Sequence, residues 1–285
     1  MSGARTGRLR LFTLMFLLLS ACAAELTAEP ASTPVPVQVT RPVQQETAGR
    51  WQPAPGLTWQ WQLEDEIDLT VDADVYDLDL YIDQSLIDAL HAQGRRAICY
   101  ISVGSWEEWR PDADQFPAAL LGKKYTGWQG ERWLDIRRID LLAPIMRARF
   151  DLCAQKGFDG LEPDNMDLYA EDTGFALTYQ DQLAYALWLA EEAHARGLAI
   201  GVKNASEQVQ DLVEHFDFVI SEDAFFYDWA DQLKPFIAAG KPVFAAEYTD
   251  TRVDFAAACD WGRQHGFSFI LKHRDLDAWL RTCPP

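Results

Sequence analysis

Short apolar runs alternate with longer amphipathic stretches from about Trp51 to the end of the chain. Runs of four to eight β-branched and aromatic residues predict strands at Thr58–Leu63, Asp74–Leu78, Ala97–Val103, Phe158–Glu162, Ala199–Lys203, Phe216–Ser221, Pro242–Glu247 and Ser268–Leu271. Stretches of helical period predict helices at Gln84–Gln93, Ile139–Lys156, Gln180–Ala195, Glu207–His215, Ala230–Ala238, Phe255–His265 and Leu276–Arg281. Gly94, Gly157, Gly197, Gly240 and Gly266 each follow a predicted helix, where a C-cap belongs. The repeated helix–glycine–strand step is the signature of parallel βα units. Eight strands in one domain predict an α/β fold, a (β/α)8 TIM barrel. An open doubly wound sheet is the alternative. No Gly-x-Gly-x-x-Gly opens a helix, so no dinucleotide cofactor is expected. Two places break the pattern. Glu64–Asp72 is too short and acidic for a helix, and Gly104–Arg137 is a long insertion rich in Trp, Tyr and Gly. Long loops on the C-terminal face of a barrel commonly shape its cleft.

The first fifty residues read differently. Arg5, Arg8 and Arg10 precede an apolar stretch, Leu11–Leu19, too short to span a bilayer. Leu19-Ser20-Ala21-Cys22 looks like a bacterial lipobox. Residues 1–21 are expected to be a lipoprotein signal peptide, with Cys22 the lipidated first mature residue. An ordinary secretory peptide cut near Ala21 to Ala24 is the alternative. Residues 22–50 are rich in Pro, Thr, Gln, Val and Ala and nearly free of aromatics, as a flexible tether would be. Residues 51–285 form the predicted domain and hold all eleven tryptophans. The expected location is the extracytoplasmic face of a bacterial membrane, reached through the lipid anchor, and a monomer is expected.

Formal net charge is −19, and removing Met1–Ala21 deletes three arginines and no acid, leaving about −22. Such a surface disfavours nucleic acid and suits a cationic substrate or a generally acidic exported protein. Cys99, Cys153, Cys259 and Cys283 allow two disulfides in an exported chain. Of the three possible pairings, Cys99–Cys153 with Cys259–Cys283, joining neighbours in chain order, is favoured, and four free buried thiols are the alternative. No Cys-x-x-Cys suggests a zinc site.

Chemistry in a barrel sits at the C-terminal ends of the strands. The fourth predicted strand leads into Gly157-Phe158-Asp159-Gly160-Leu161-Glu162-Pro163-Asp164-Asn165-Met166-Asp167, four carboxylates within nine residues. Proline lacks an N–H, so Pro163 is expected to stop the strand. Glu162 and Asp164 are two apart and face the same way in extended chain. Asp159, beside a glycine at the strand start, is expected to serve the fold. Other strand ends offer Asp77 and Asp79, Ser102 with Trp106, Lys203 with Asn204, Glu222, and Glu247 with Tyr248. Paired acids at converging strand ends suit glycoside hydrolysis or divalent-metal chemistry. Only His273 among five histidines falls at a strand end, and no resident metal or other cofactor is expected. Trp106, Trp109, Trp128, Trp133, Tyr169 and Tyr248, in or near the expected cleft loops, could stack on sugar rings or simply pack. Lys203 could form a Schiff base, but beside so many acids pairing with a carboxylate fits better. No Gly-x-Ser-x-Gly elbow supports serine-hydrolase chemistry.

Several motifs in order resemble glycoside hydrolase family 114: Trp59-Gln60-Trp61-Gln62-Leu63, Val75-Tyr76-Asp77-Leu78-Asp79 and Cys99-Tyr100-Ile101-Ser102-Val103-Gly104-Ser105. Trp133-Leu134-Asp135-Ile136-Arg137, the Gly157–Asp167 run, Gly201-Val202-Lys203-Asn204 and Glu247-Tyr248 extend the resemblance across the domain. Where the family carries a cysteine after the sixth strand, this chain has Ala224. The resemblance implies a (β/α)8-barrel endo-α-1,4-polygalactosaminidase that cuts a galactosamine-containing exopolysaccharide with retention. It places the nucleophile on Asp164, with Glu162 as rival, and the acid/base on Glu222. Asp77, Asp79, Ser102, Trp106, Trp133, Asn165, Asp167, Tyr169, Lys203, Asn204, Glu247 and Tyr248 are the expected substrate-binding residues. A carbohydrate-binding barrel without catalysis and a metal-dependent hydrolase are the rival readings.

Overall fold

The computed structural model describes residues 49–284; the expected signal peptide, Cys22 and nearly all of the expected tether lie outside them. The strands are β1 (Trp59–Gln62), β2 (Val75–Asp79), β3 (Arg96–Ser102), β4 (Ser105–Glu107), β5 (Leu121–Lys124), β6 (Glu131–Leu134), β7 (Gly160–Asp164), β8 (Ala199–Lys203), β9 (Phe218–Glu222), β10 (Val243–Tyr248), β11 (Ser268–Lys272) and β12 (Arg281–Thr282). The helices are α1 (Gln84–Ala92), α2 (Ile139–Lys156), α3 (Tyr179–His194), α4 (Val209–Leu212), α5 (Lys234–Ala238) and α6 (Phe255–His265). The large sheet runs β1-β2-β3-β7-β8-β9-β10-β11-β12. Its first eight members are all parallel, and β12 adds an antiparallel edge.

The eight parallel strands curl until β11 returns beside β1. Side chains bridge that seam: Trp59 Nε1 donates to Ser268 O at 2.9 Å, Ser268 Oγ to Leu57 O at 2.7 Å, and Lys272 Nζ to Gln60 Oε1 at 3.1 Å. The period of two sorts every strand into an inner and an outer row. Trp59, Trp61, Val75, Ile98, Ala199, Phe218, Ile220, Phe244, Ala246, Tyr248 and Ile270 pack together inside the barrel. Tyr76, Leu78, Cys99, Ile101, Leu161, Ile200, Val202, Val219 and Ala245 belong to the layer shared with the helices. Gly201 takes an inner position because a Cβ there would lie 2.3 Å from the Phe218 ring.

Local chemistry explains the helices. Thr178 and Asp181 close a capping box at the start of α3. Gly157 and Gly266 end α2 and α6 in the left-handed conformation, at φ 90° and 80°. The segment between β1 and β2 has no helix. Buried Gln62 ties it down, donating to the carbonyls of Glu64 and Glu66 and accepting from Asp68 N–H. Both disulfides join neighbours in chain order, Cys99–Cys153 linking β3 to α2 and Cys259–Cys283 linking α6 to the C-terminal segment.

Three expectations are corrected. Leu276–Arg281 is not a helix: Leu276 sits at φ 54° with its carbonyl accepting from Leu63 N–H, and Arg281 pairs with Leu271 of β11. Closing the barrel seam takes the backbone groups a helix would use. Pro163 does not stop its strand, since β7 runs on to Asp164; pairing with β8 ends at Leu161↔Ile200, before the missing N–H could matter. The expected helix Glu207–His215 is only a 3-10 turn, Ser206–Gln208, running into the single turn of α4. The Gly104–Arg137 insertion carries a small antiparallel sheet, β4-β6-β5.

Gly201→Ala should cost about 1–3 kcal/mol of unfolding free energy, because the new methyl meets the Phe218 ring. Combining it with Phe218→Leu should cost clearly less than the two single changes added together. Denaturant melts of the four proteins test this, and strict additivity would refute the contact.

Candidate active site

The inner row turns polar toward the C-terminal ends of the strands. Lys203 ends β8, with its side chain 2% exposed, and its ammonium is the hub of the site. Nζ lies 2.8 Å from Glu162 Oε1, 2.9 Å from Asp164 Oδ1 and 3.2 Å from Glu222 Oε2. The Trp61 ring lies 4.6 Å below it. Burial works against the charge on Lys203, but Asp164, Glu162 and Glu222 outweigh it and hold the lysine well above its usual range. A Schiff base needs a neutral amine, so that alternative is set aside.

Asp164 also accepts from Tyr100 Oη at 3.0 Å and from Asn165 Nδ2 at 3.3 Å. Glu222 accepts from Tyr248 Oη at 2.6 Å and from Asn204 Nδ2 at 3.3 Å, while its own N–H donates to Asn204 Oδ1. Both carboxylates open onto one cleft of about 790 Å³. Asn165, Asn204 and Asp223, each directly after Asp164, Lys203 and Glu222, have φ of 63°, 53° and 52°. Asn and Asp tolerate that left-handed conformation better than most residues. The chain therefore turns sharply at each strand end and leaves the preceding side chain at the mouth. Gly104 makes room for the Asn165 turn, since a Cβ there would sit 1.9 Å from Asn165 O.

Of the expected substrate-binding residues, Asp79, Trp133, Asn165, Asp167, Lys203, Asn204 and Tyr248 line the cleft. Others are corrected. Glu162 and Asp77 are fully buried beneath Lys203 and do not reach the cleft, so Glu162 cannot contact a sugar there. Ser102 is buried in bonds to Ser105 and Asn165. Trp106 turns into the insertion, donating from Nε1 to Ala113 O. Tyr169 bonds Glu207 and packs edge-on against Tyr179. Glu247 is buried and accepts the N–H groups of Phe225 and Phe226, shaping the turn after β9. Asp159 serves the fold, bonding Arg96 and the N–H of Ala97.

Several site residues escaped the sequence reading. Tyr100 lies two positions before Ser102, in the inner phase of β3, and that phase was the available signal. Tyr125 and Glu131 come from the insertion, whose fold no period announced, while Trp109 and Trp128 of the same insertion line the cleft as expected. Arg110 reaches back to Asp79 at 2.6 Å and Glu107 at 2.8 Å. Arg274 stacks 3.7 Å from the Tyr248 ring centroid and pairs with Asp223. The lining holds ten acids (Glu64, Asp65, Asp79, Glu107, Glu131, Asp164, Asp167, Glu171, Glu222 and Asp275) against Arg110, Lys203 and Arg274.

Burial crowds some of these acids into their neutral forms. Desolvation first, then nearby carboxylates, lift Glu131 to about 7 and Asp167 to about 6; Glu247 is likewise lifted to about 7. A raised folded-state pKa means the native protein keeps protons the unfolded chain has lost. The stability these groups contribute is complete below their ordinary range and is lost as pH rises through about 6 to 7. The thermal midpoint should therefore fall between pH 5 and pH 8 in calorimetry. A midpoint that rises over that interval would contradict the assignment.

Residues 40–285 match the model of glycoside-hydrolase family GH114. The crystal structure of Aspergillus fumigatus Ega3 in complex with galactosamine is similar at a TM-score of 0.78 and 38% sequence identity, covering 83% of this chain and 99% of that one. The glycoside hydrolase domain of PelA from Pseudomonas aeruginosa, at a TM-score of 0.63 and 18% identity over 80% of this chain and 98% of that one, shares the fold. An uncharacterized protein of Deinococcus radiodurans is 26% identical over 215 residues, 68% of this chain and 69% of its own length. With the family match spanning the whole barrel and its paired acids, the chain belongs to glycoside hydrolase family GH114.

Proposed function

We propose that this glycoside hydrolase is endo-acting and retaining, and that it cleaves a cationic galactosamine polymer with Asp164 as nucleophile and Glu222 as acid/base. The observation that carries the reading is the shared ammonium. Asp164 Oδ1 and Glu222 Oε2 both lie on Lys203 Nζ, at 2.9 and 3.2 Å, so they cannot be further apart than those two distances together. That closeness accommodates the ~5–5.5 Å between the carboxyl groups of a retaining pair.

In the first step an Asp164 oxygen bonds the anomeric carbon. The glycosidic C–O bond breaks as Glu222 gives its proton to the leaving oxygen. In the second, Glu222 takes a proton from water, whose oxygen displaces Asp164. Tyr100 and Lys203 hold the nucleophile in place, and Tyr248 and Asn204 hold the acid. Ten acids against three bases in the cleft support a polyamine substrate, as does the likeness to a protein crystallised with galactosamine. Trp109 and Trp128, 52% and 49% exposed, offer ring faces for sugars further along a chain, which supports endo action.

Glu222→Gln should lower kcat by about 10²–10⁴-fold and Asp164→Asn by at least as much, with circular dichroism unchanged. Release of reducing ends from galactosamine oligosaccharides measures it. Full activity in either variant would overturn the assignment, and binding without release by the unaltered protein would favour a non-catalytic barrel. The first-formed product should carry the α-anomer in proton NMR; the β-anomer would overturn retention.

We also propose export and lipid anchoring through Cys22. The Leu19-Ser20-Ala21-Cys22 sequence and two disulfides, which persist in oxidising compartments, support it. Cys22→Ser should move the protein from the membrane to the soluble fraction, and an unchanged distribution would refute the anchor.

A further inference from the structure

Asp77 of β2 and Glu162 of β7 are both fully buried in the barrel interior. No N–H or O–H reaches either Asp77 oxygen or Glu162 Oε2 among the described residues. The two carboxyl groups share the barrel interior and interact with each other. A carboxylate only accepts hydrogen bonds, so two facing carboxylates repel unless one carries a proton. The groups pointing at the pair are Asp164 on the same strand as Glu162, Lys203 on β8 and Tyr100 on β3. Glu222 on β9 and Tyr248 on β10 lie beyond Lys203, and Lys272 on β11 is committed to Gln60 on β1 and Asp277 O. Among the described residues Lys203 is thus the one cation serving Asp77, Glu162, Asp164 and Glu222, too little charge for four buried or half-buried carboxylates.

We propose that Asp77 is a protonated carboxylic acid that donates to Glu162 Oε2, and that this pair positions Lys203 for the reaction. The proton leaves Glu162 a single full charge, aimed through Oε1 at Lys203. Lys203 is then pulled to the depth at which its remaining hydrogens meet Asp164 and Glu222. Asp77 and Glu162 are positioning residues: neither borders the cleft, and each acts through the lysine. Burial, then the charge of Glu162, drives Asp77 well above the usual carboxylate range, in the direction this arrangement needs. The role in catalysis rests on the hydrolase reading given above; the proton itself does not.

Asparagine at position 77 is the informative replacement. Its amide donates to Glu162 as the protonated acid does and needs no proton from solution. Asp77→Asn should keep kcat/KM within about threefold of the unaltered protein, whereas Asp77→Ala and Glu162→Gln should each lose about 10²-fold. Infrared difference spectroscopy reads the proton directly. At pH 8, above the about 6 to 7 where Asp167, Glu131 and Glu247 release theirs, the unaltered protein should show a carboxylic-acid carbonyl band that Asp77→Asn lacks. Absence of that band, or an Asp77→Asn as damaged as Asp77→Ala, overturns the proposal. An unaltered protein with the band but no hydrolysis of galactosamine oligosaccharides supports the shared proton while removing the proposed substrate.

Discussion

A glycoside hydrolase that works with two acids must hold them close together, and like charges at short range drive one another apart. Lys203 answers this constraint. Its ammonium is shut away from water and touches Glu162, Asp164 and Glu222 at hydrogen-bonding distance. Unit charges about 4 Å apart interact by about 4 kcal/mol at an effective dielectric of 20, against about 1 kcal/mol in bulk water. The same ammonium that relieves the repulsion also ties together the ends of three consecutive strands of the barrel, β7, β8 and β9.

The barrel makes that meeting possible. Its strands alternate inner and outer positions, so one residue in two faces the axis. Deep in the barrel those positions are Trp59, Val75, Ile98, Phe218 and Phe244, a dry apolar plug. One or two layers higher they become Asp77, Tyr100, Glu162, Lys203 and Glu222. The plug keeps water from beneath the site, which strengthens every charge interaction above it. Left-handed Asn165, Asn204 and Asp223 then turn the chain away and open the mouth. Such conformations are costly for most residues and cluster where function requires them.

The individual carboxylates show how far a sequence carries. Glu162 and Asp164 were legible as a pair facing one way, since a period of two is a local property. Their different fates were not: one lies under the lysine and the other beside it, because depth along the barrel axis depends on how neighbouring strands are staggered. Glu247 looked like a strand-end acid equal to the others, yet it turns outward to hold the N–H groups of Phe225 and Phe226. Its odd position relative to Tyr248 carried that information. Leu276–Arg281 had the composition of a helix, but its backbone is spent on closing the seam.

Local patterning was enough to predict the eight strands, most of the helices and the capping glycines, and to favour both disulfide pairs and the strand ends that border the cleft, since each depends on residues near in sequence or on chain order. The family resemblance rested on the same short motifs. Only the tertiary structure decided which acids share an ammonium, which are buried beneath it, and that the insertion supplies Tyr125 and Glu131 to the cleft. Those facts are distances between residues tens of positions apart. They follow from strand stagger and barrel closure, which no local period encodes.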